Sequence, residues 1–340
     1  MAKLGVGVIG LGRMGRFYGN FVAQQVENAR LVAVADSLQT AREDFVGRMG
    51  GVKAYADYHD LLNDREVEAV IIVTPTSTHR EVVIAAAEAK KAIFCEKPTA
   101  LTLKATDDML AAVEKAGVMF YVGFMRRFDK GCAAARKKID AGAIGDVVMV
   151  RSIGRDPFRT SLEYANPAIS GGLILDMAIH DFDLVRWYMG AEVERVYTEV
   201  ASLVYPELQT VGDVDNAMIN LRFTNGGLGN IEATRTAPYG YDIQATVVGT
   251  KGTLQIGYLQ ETPLLLMTKE GGVQHDVVPH FPERFGTAYT AQIAHFVDCL
   301  TLGVKPAVTP MDARASLQAA IAATRSQHEG RVVYVNEVQD

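Results

Sequence analysis

The pattern that most narrows what this chain can fold into is Gly10-x-Gly12-x-x-Gly15. It follows a short run rich in valine and isoleucine, Leu4 to Ile9, and opens a helical pattern through Phe17, Phe21, Val22 and Val26. A second apolar run, Leu31 to Ala35, ends on Asp36, 21 residues after Gly15. In such a strand–turn–helix unit the first glycine permits the tight turn. The second lets a pyrophosphate approach the backbone, and the third lets helix pack on strand. The helix N-terminus, carrying Arg13 and Met14 beside the glycines, offers amide groups and a positive dipole end to phosphates. A carboxylate at Asp36 suits ribose hydroxyls and repels a ribose phosphate, and Ser37-Leu38-Gln39 supplies no basic residue to replace it. The expectation is NAD as cofactor. The phosphorylated cofactor, held by Arg13 or Arg42, is the alternative.

The strand–helix alternation continues. Val70 to Val73 is a continuous apolar run, as a strand buried on both faces requires, and it stops at Thr74-Pro75. Thr76 to Lys90 reads as the returning helix. Ala92 to Cys95 is another buried strand, ending at Glu96-Lys97-Pro98, and Leu101 to Ala116 with Met119 to Val122 adds a further helix and strand. This order predicts a doubly wound parallel sheet, a Rossmann domain. The character changes near Phe124. A helix (Lys130 to Ala141) and a strand (Val147 to Ile153) precede an apolar helix from Leu173 to Met189. Strands then follow, joined by hairpin signals at Thr224–Gly227, Gly249–Gly252 and Lys269–Gly272, before two late helices near Thr290 to Leu302 and Asp312 to His328. At 340 residues the chain suits two domains. The reading is an α/β Rossmann domain over 1–124 and an α+β domain over 125–340. The second has a large open, mostly antiparallel sheet in meander order, and its last helix is free to pack back on the first domain.

The charge balance, 34 basic against 40 acidic residues with no block of either sign, argues against a nucleic-acid or anionic-membrane surface. Cys95, Cys132 and Cys299 have neither zinc-ligand nor redox spacing, so no metal is expected and the thiols read as buried apolar groups of a reducing compartment. The N-terminus enters a glycine-punctuated strand too early for a signal peptide, and no apolar run approaches a membrane span, so a cytoplasmic location is expected.

Two further constellations carry chemistry. Open α/β sheets bind ligands outside the carboxyl ends of their strands, and Thr74-Pro75 and Glu96-Lys97-Pro98 each stand at such an end. Lys97 directly after a buried strand is either a site cation or the partner of Glu96, and Pro98 after it is open to a cis bond. Within Ser170-Gly171-Gly172-Leu173 to Asp183, Asp176 and His180 are four apart and share one helix face. They read as a proton-transfer pair or as a satisfied core pair.

The glycine fingerprint, the Glu96-Lys97-Pro98 tripeptide and the Asp176-x-x-x-His180 helix together resemble the Gfo/Idh/MocA oxidoreductases over essentially the whole chain. Gly123 to Asp129, Arg155-Asp156-Pro157, and Tyr239 to Gln244 with Val248 to Gly252 are similar to the inositol dehydrogenases of that family. The resemblance implies NAD-dependent oxidation of a ring hydroxyl of a cyclic polyol or sugar. Lys97, Asp176 and His180 are then the catalytic trio, and Arg127, Asp156 and Tyr239 contact or frame the polyol. It also implies a homotetramer or homodimer built through the second domain's sheet. For such a reaction His180 is the expected general base and Lys97 the cation that stabilises developing alkoxide character. A dehydrogenase of glucose or of another sugar or sugar acid is the rival within the family. An NAD-dependent glycosidase or a non-catalytic NAD sensor stands outside that reaction class.

Overall fold

The computed structural model describes residues 3–339. The chain forms two compact units: one gathers the chain up to Met125 with Thr287–Arg314, the other Arg126–Gly286 with Ala315–Gln339. In the first unit β1 (Leu4–Ile9), α1 (Arg13–Gln24), β2 (Ala29–Ala35), α2 (Gln39–Met49), β3 (Lys53–Tyr55), α3 (Tyr58–Asn63), β4 (Ala69–Ile72), α4 (His79–Glu88), β5 (Ala92–Cys95), α5 (Leu103–Ala116) and β6 (Phe120–Val122) follow one another. The six strands lie in the order β3-β2-β1-β4-β5-β6, every pair parallel. The order reverses between β1 and β4, which is where such a sheet opens a ligand crevice. Helices on both faces of a parallel sheet demand apolar residues on both faces of its strands. β4 meets that demand with four successive buried residues. The helix expected from Thr76 starts instead with a 3-10 turn, Thr76–Thr78, and becomes α-helical only at His79.

The second unit opens with α6 (Lys130–Asp140), β7 (Val147–Arg155) and two single turns, α7 (Leu162–Ala165) and α8 (Pro167–Ser170). A π-helical turn, Leu173–Met177, leads into α9 (Ile179–Met189). β8 (Val193–Ala201), β9 (Asn216–Phe223), β10 (Leu228–Thr234), β11 (Asp242–Gly249), β12 (Thr253–Ile256), β13 (Leu265–Thr268) and β14 (Gly272–His275) follow. α10 (Phe281–Thr301) and α11 (Pro310–Glu329) contribute residues to both units, and β15 (Val333–Tyr334) closes the series. The sheet order is β12-β11-β7-β10-β9-β8-β15. The β7–β10 pair is parallel and the other five are antiparallel. β13 and β14 form a separate ribbon.

Two expectations need correction. The meander is interrupted, because β7, earlier in the chain, lies between β10 and β11. Its inward residues Val150 and Ser152 are fully buried, so the strand belongs at the centre of the sheet. The helix expected over Leu173 to Met189 is not uniform either. The Ala178 amide donates to the Leu173 carbonyl at 3.1 Å, a bond spanning five residues, and regular α-geometry begins only afterwards. π-turns of this kind recur at functional sites.

Candidate active site

The three glycines at the N-terminus of α1 do different jobs. Gly10 has φ 95°, and a β-carbon there would stand 2.8 Å from the Val73 carbonyl oxygen. A β-carbon on Gly15 would collide with the Gly10 carbonyl oxygen, so this residue sets how closely α1 approaches β1. Gly12 faces open space, with no atom within 4 Å of where its β-carbon would be. It is also the N-cap of α1, with no side-chain cap and no acidic residue in the first turn. The amides of Arg13, Met14 and Gly15 thus head a helix that carries no counter-charge of its own there, a surface suited to phosphate. Asp36 fastens this loop to the end of β2: its carboxylate accepts from the Leu11 amide at 2.7 Å and from the Leu38 amide at 2.8 Å. Arg42 donates to the carbonyls of Asp36 and Ser37, at 2.6 and 3.0 Å.

The turns after β4 and β5 are tied together by a residue that sequence reasoning missed. His79 is buried, with Nε2 at 2.9 Å from the Thr74 carbonyl and Nδ1 at 3.0 Å from the Pro98 carbonyl. Burial is the largest influence on its pKa and lowers it, against the opposing pull of these carbonyl acceptors. It is the first residue of α4, four positions after Pro75. Lys97 is half-buried and is followed by a cis bond to Pro98. The Glu96 carboxylate takes the Lys97 amide at 3.0 Å and the Tyr18 hydroxyl, which in turn accepts from Gln292 Nε2 at 2.7 Å. Burial first, and Glu96 beside it, push the Tyr18 phenol far above its usual range. Glu96 therefore braces the turn that presents Lys97.

In the second unit Asp176 stands on the π-turn and His180, buried, on the first turn of α9. Asp176 Oδ1 accepts from the Tyr164 hydroxyl and Oδ2 from Arg235 Nη2, both at 3.2 Å. The shared helix face of Asp176 and His180 pointed to neither partner, since Arg235 lies 59 positions away in sequence. Arg127 is ion-paired within its own unit. Its guanidinium grips Asp183 bidentately, at 2.9 and 2.6 Å, below the ring of Trp187. Next to it Arg126 pairs with Asp181, which also accepts from Ser152 Oγ at 2.6 Å. Asp156 is fixed by its main chain, its amide donating to Thr234 at 2.8 Å and its carbonyl accepting from Ala237 at 3.0 Å. The half-exposed Tyr239 hydroxyl accepts from Arg155 and donates to Asp242, each at 2.9 Å. Lys97 thus belongs to the first unit, and Asp176, His180, Arg127, Asp156 and Tyr239 to the second. Among the described residues no cluster of histidine, cysteine or carboxylate side chains is arranged to hold a metal, and no helix is long and apolar enough to cross a membrane.

Residues 4–124 match the oxidoreductase family with an NAD-binding Rossmann fold, and residues 136–336 match the C-terminal alpha/beta domain of the same Gfo/Idh/MocA family. The chain belongs to this family. It is 39% identical to the scyllo-inositol 2-dehydrogenase (NAD(+)) of Bacillus subtilis, covering 97% of this chain and 95% of that one. It is 38% identical to the myo-inositol 2-dehydrogenase of Thermotoga maritima, over 98% and 99% of the two chains. Its fold superimposes with a TM-score of 0.93 on the scyllo-inositol dehydrogenase of Lactobacillus casei, solved with bound NAD(H) and scyllo-inositol, at 29% identity over 98% and 99% of the chains. This family member is thus an oxidoreductase whose first domain is an NAD-binding Rossmann fold.

Proposed function

We propose that this chain is an NAD-dependent inositol 2-dehydrogenase, oxidising one ring hydroxyl of myo- or scyllo-inositol to the inosose. The observation that carries the reading is full-length likeness to two inositol 2-dehydrogenases at 38–39% identity. A half-buried, guanidinium-held carboxylate at Asp176 and a histidine one turn on support it. In this reading Gly10, Gly12, Arg13, Met14 and Gly15 hold the pyrophosphate, and Asp36 and Ser37 the adenosine ribose. Thr74, Pro75, Glu96 and Lys97 hold the nicotinamide end. The open space at Gly12 and the uncapped start of α1 fit that assignment. When bound, the nicotinamide accepts the hydride that leaves the ring carbon.

The protein's own groups move the proton and hold the polyol. His180 takes the hydroxyl proton as general base. Lys97 supplies the positive charge that stabilises developing alkoxide character. Asp176 accepts from a neighbouring hydroxyl, and Asp156 and Tyr239 frame the ring. Arg127 acts through the Asp183 pair that stiffens the start of its unit. The domain over 1–124 serves the cofactor, and that over 125–340 the polyol and self-association. A homotetramer or homodimer through the open sheet face would cover the exposed Met149, Met218 and Leu228, and we place the enzyme in the cytoplasm.

The test is NADH formation with a panel of alcohols. An inositol should far outpace cyclohexanol, because polar groups built to meet hydroxyls are left unpaired by an analogue that lacks them. D-glucose should fall between, and NAD should be preferred to NADP. Glucose clearly exceeding both inositols would overturn the substrate, and NADP preference the role of Asp36. Turnover of no polyol would favour the sensor.

A further inference from the structure

Asp176 is the outer link of a chain whose inner members are buried. Arg235, almost wholly buried, donates through Nη2 to Asp176 at 3.2 Å and through Nη1 to Asp213 Oδ2 at 2.8 Å. The other oxygen of Asp213 accepts from the Leu173 amide at 2.8 Å, the first residue of the π-turn that carries Asp176. One carboxylate therefore fixes both the backbone on which Asp176 stands and the guanidinium that grips its side chain. Gly172 makes room for this. Its φ is 70°, and a β-carbon would lie 2.7 Å from Asp213 Oδ1. The segments bearing the two partners are themselves tied, since the Arg235 amide donates to the Asp215 carbonyl at 2.9 Å. The Asp215 carboxylate accepts from the amides of Leu203, Val204 and Tyr205, at 3.1, 2.8 and 2.7 Å.

We propose that Asp213 and Arg235 are positioning residues that aim the Asp176 carboxylate at a substrate hydroxyl, a role that rests on the reading of Asp176 as a polyol contact. Within its unit that carboxylate meets the Tyr164 hydroxyl and the Arg235 guanidinium with Asp213 behind it, and His180 follows on the next turn of the chain. Removing the cation should make Asp176 easier to protonate. Removing the competing anion should make it harder, because Arg235 then serves Asp176 alone. Those opposed signs follow from the geometry alone; what a pair serving folding alone does not predict is a loss of kcat/KM for inositol that leaves NAD affinity intact and that Arg235→Lys partly restores.

The experiment follows the Asp176 carboxylate by NMR in full-length protein with ¹³C-labelled aspartate, its resonance assigned by loss in Asp176→Asn. We expect the titration midpoint to rise in Arg235→Gln, to fall in Asp213→Asn, and to stay near the parent in Arg235→Lys. In kinetics, Arg235→Gln should lose roughly 10²-fold in kcat/KM for inositol with NAD affinity unchanged, as a misplaced reacting group does. Arg235→Lys should recover part of that loss. If Arg235→Gln does not fold, Asp213→Asn carries the same test, with a lowered midpoint expected. An unshifted midpoint in a folded Arg235→Gln or Asp213→Asn protein, or a kcat/KM for inositol that stays near the parent's in a folded Arg235→Gln protein, overturns the proposal. The titration is read without substrate, so a parent enzyme that ignores inositol would count against the function alone.

Discussion

At the start of α1 the polar surface is bare backbone: helix amides, an unfilled space at Gly12, and one carboxylate pinning the loop from the side. Around Asp176 and α9 polar side chains are held by other buried side chains, in the pairs Arg126–Asp181, Arg127–Asp183 and Arg235–Asp213. A backbone site depends on a few residues close in sequence and on the absence of side chains. Its tolerance of change is therefore decided by space. A site of paired side chains depends on partners tens of residues apart, and removing one member strands a charge in a low-dielectric interior. The two units thus hold their polar groups by different physics, and they should fail differently.

The largest expected effect is at His180. His180→Ala should lose about 10²–10⁴-fold in turnover, the usual range for a general acid–base group. NAD affinity, measured by titration calorimetry, should hold, because the histidine belongs to the other unit. A variant within a few-fold of the parent would make His180 a packing residue.

Next comes the Arg127 pair. Arg127→Leu should cost about 3–5 kcal/mol in denaturant unfolding, whereas Arg127→Leu with Asp183→Leu should recover most of it, since no charge is left alone. Unchanged stability with a raised KM for the polyol would return Arg127 to the substrate.

The smallest effect separates the glycines. Gly15→Ala forces a β-carbon onto the Gly10 carbonyl and should destabilise by about 1–3 kcal/mol. Gly12→Ala meets nothing, so it should leave the melting temperature near the parent while weakening NAD. Equal loss of stability in both would contradict the division of roles.

The same contrast explains what can be read from sequence. The glycine loop, β4 and β5 are legible because spacing and continuous apolar runs are local signals. Leu4–Ile9 and Ala92–Cys95 fall where they are expected. α10 begins at Phe281, nine residues before the expected Thr290, because Pro282 and Gly286 look like breakers. Proline is tolerated in a helix's first turn, where the missing N–H has no partner to lose. The insertion of β7 between β10 and β11 is invisible in the sequence because strand order is a long-range choice. So is the Asp213–Arg235–Asp176 chain, whose members are set by pairing across the fold. The clue that is present is the doubled glycine, Gly171-Gly172, before an apolar helix.

The central claim is that a ring carbon of inositol gives up hydride while the protein takes the proton. It is tested most directly with myo- or scyllo-inositol carrying deuterium on its ring carbons, followed by mass spectrometry of the NADH formed. The NADH should be one mass unit heavier than that from unlabelled inositol. Unlabelled NADH from the deuterated ring would contradict the claim.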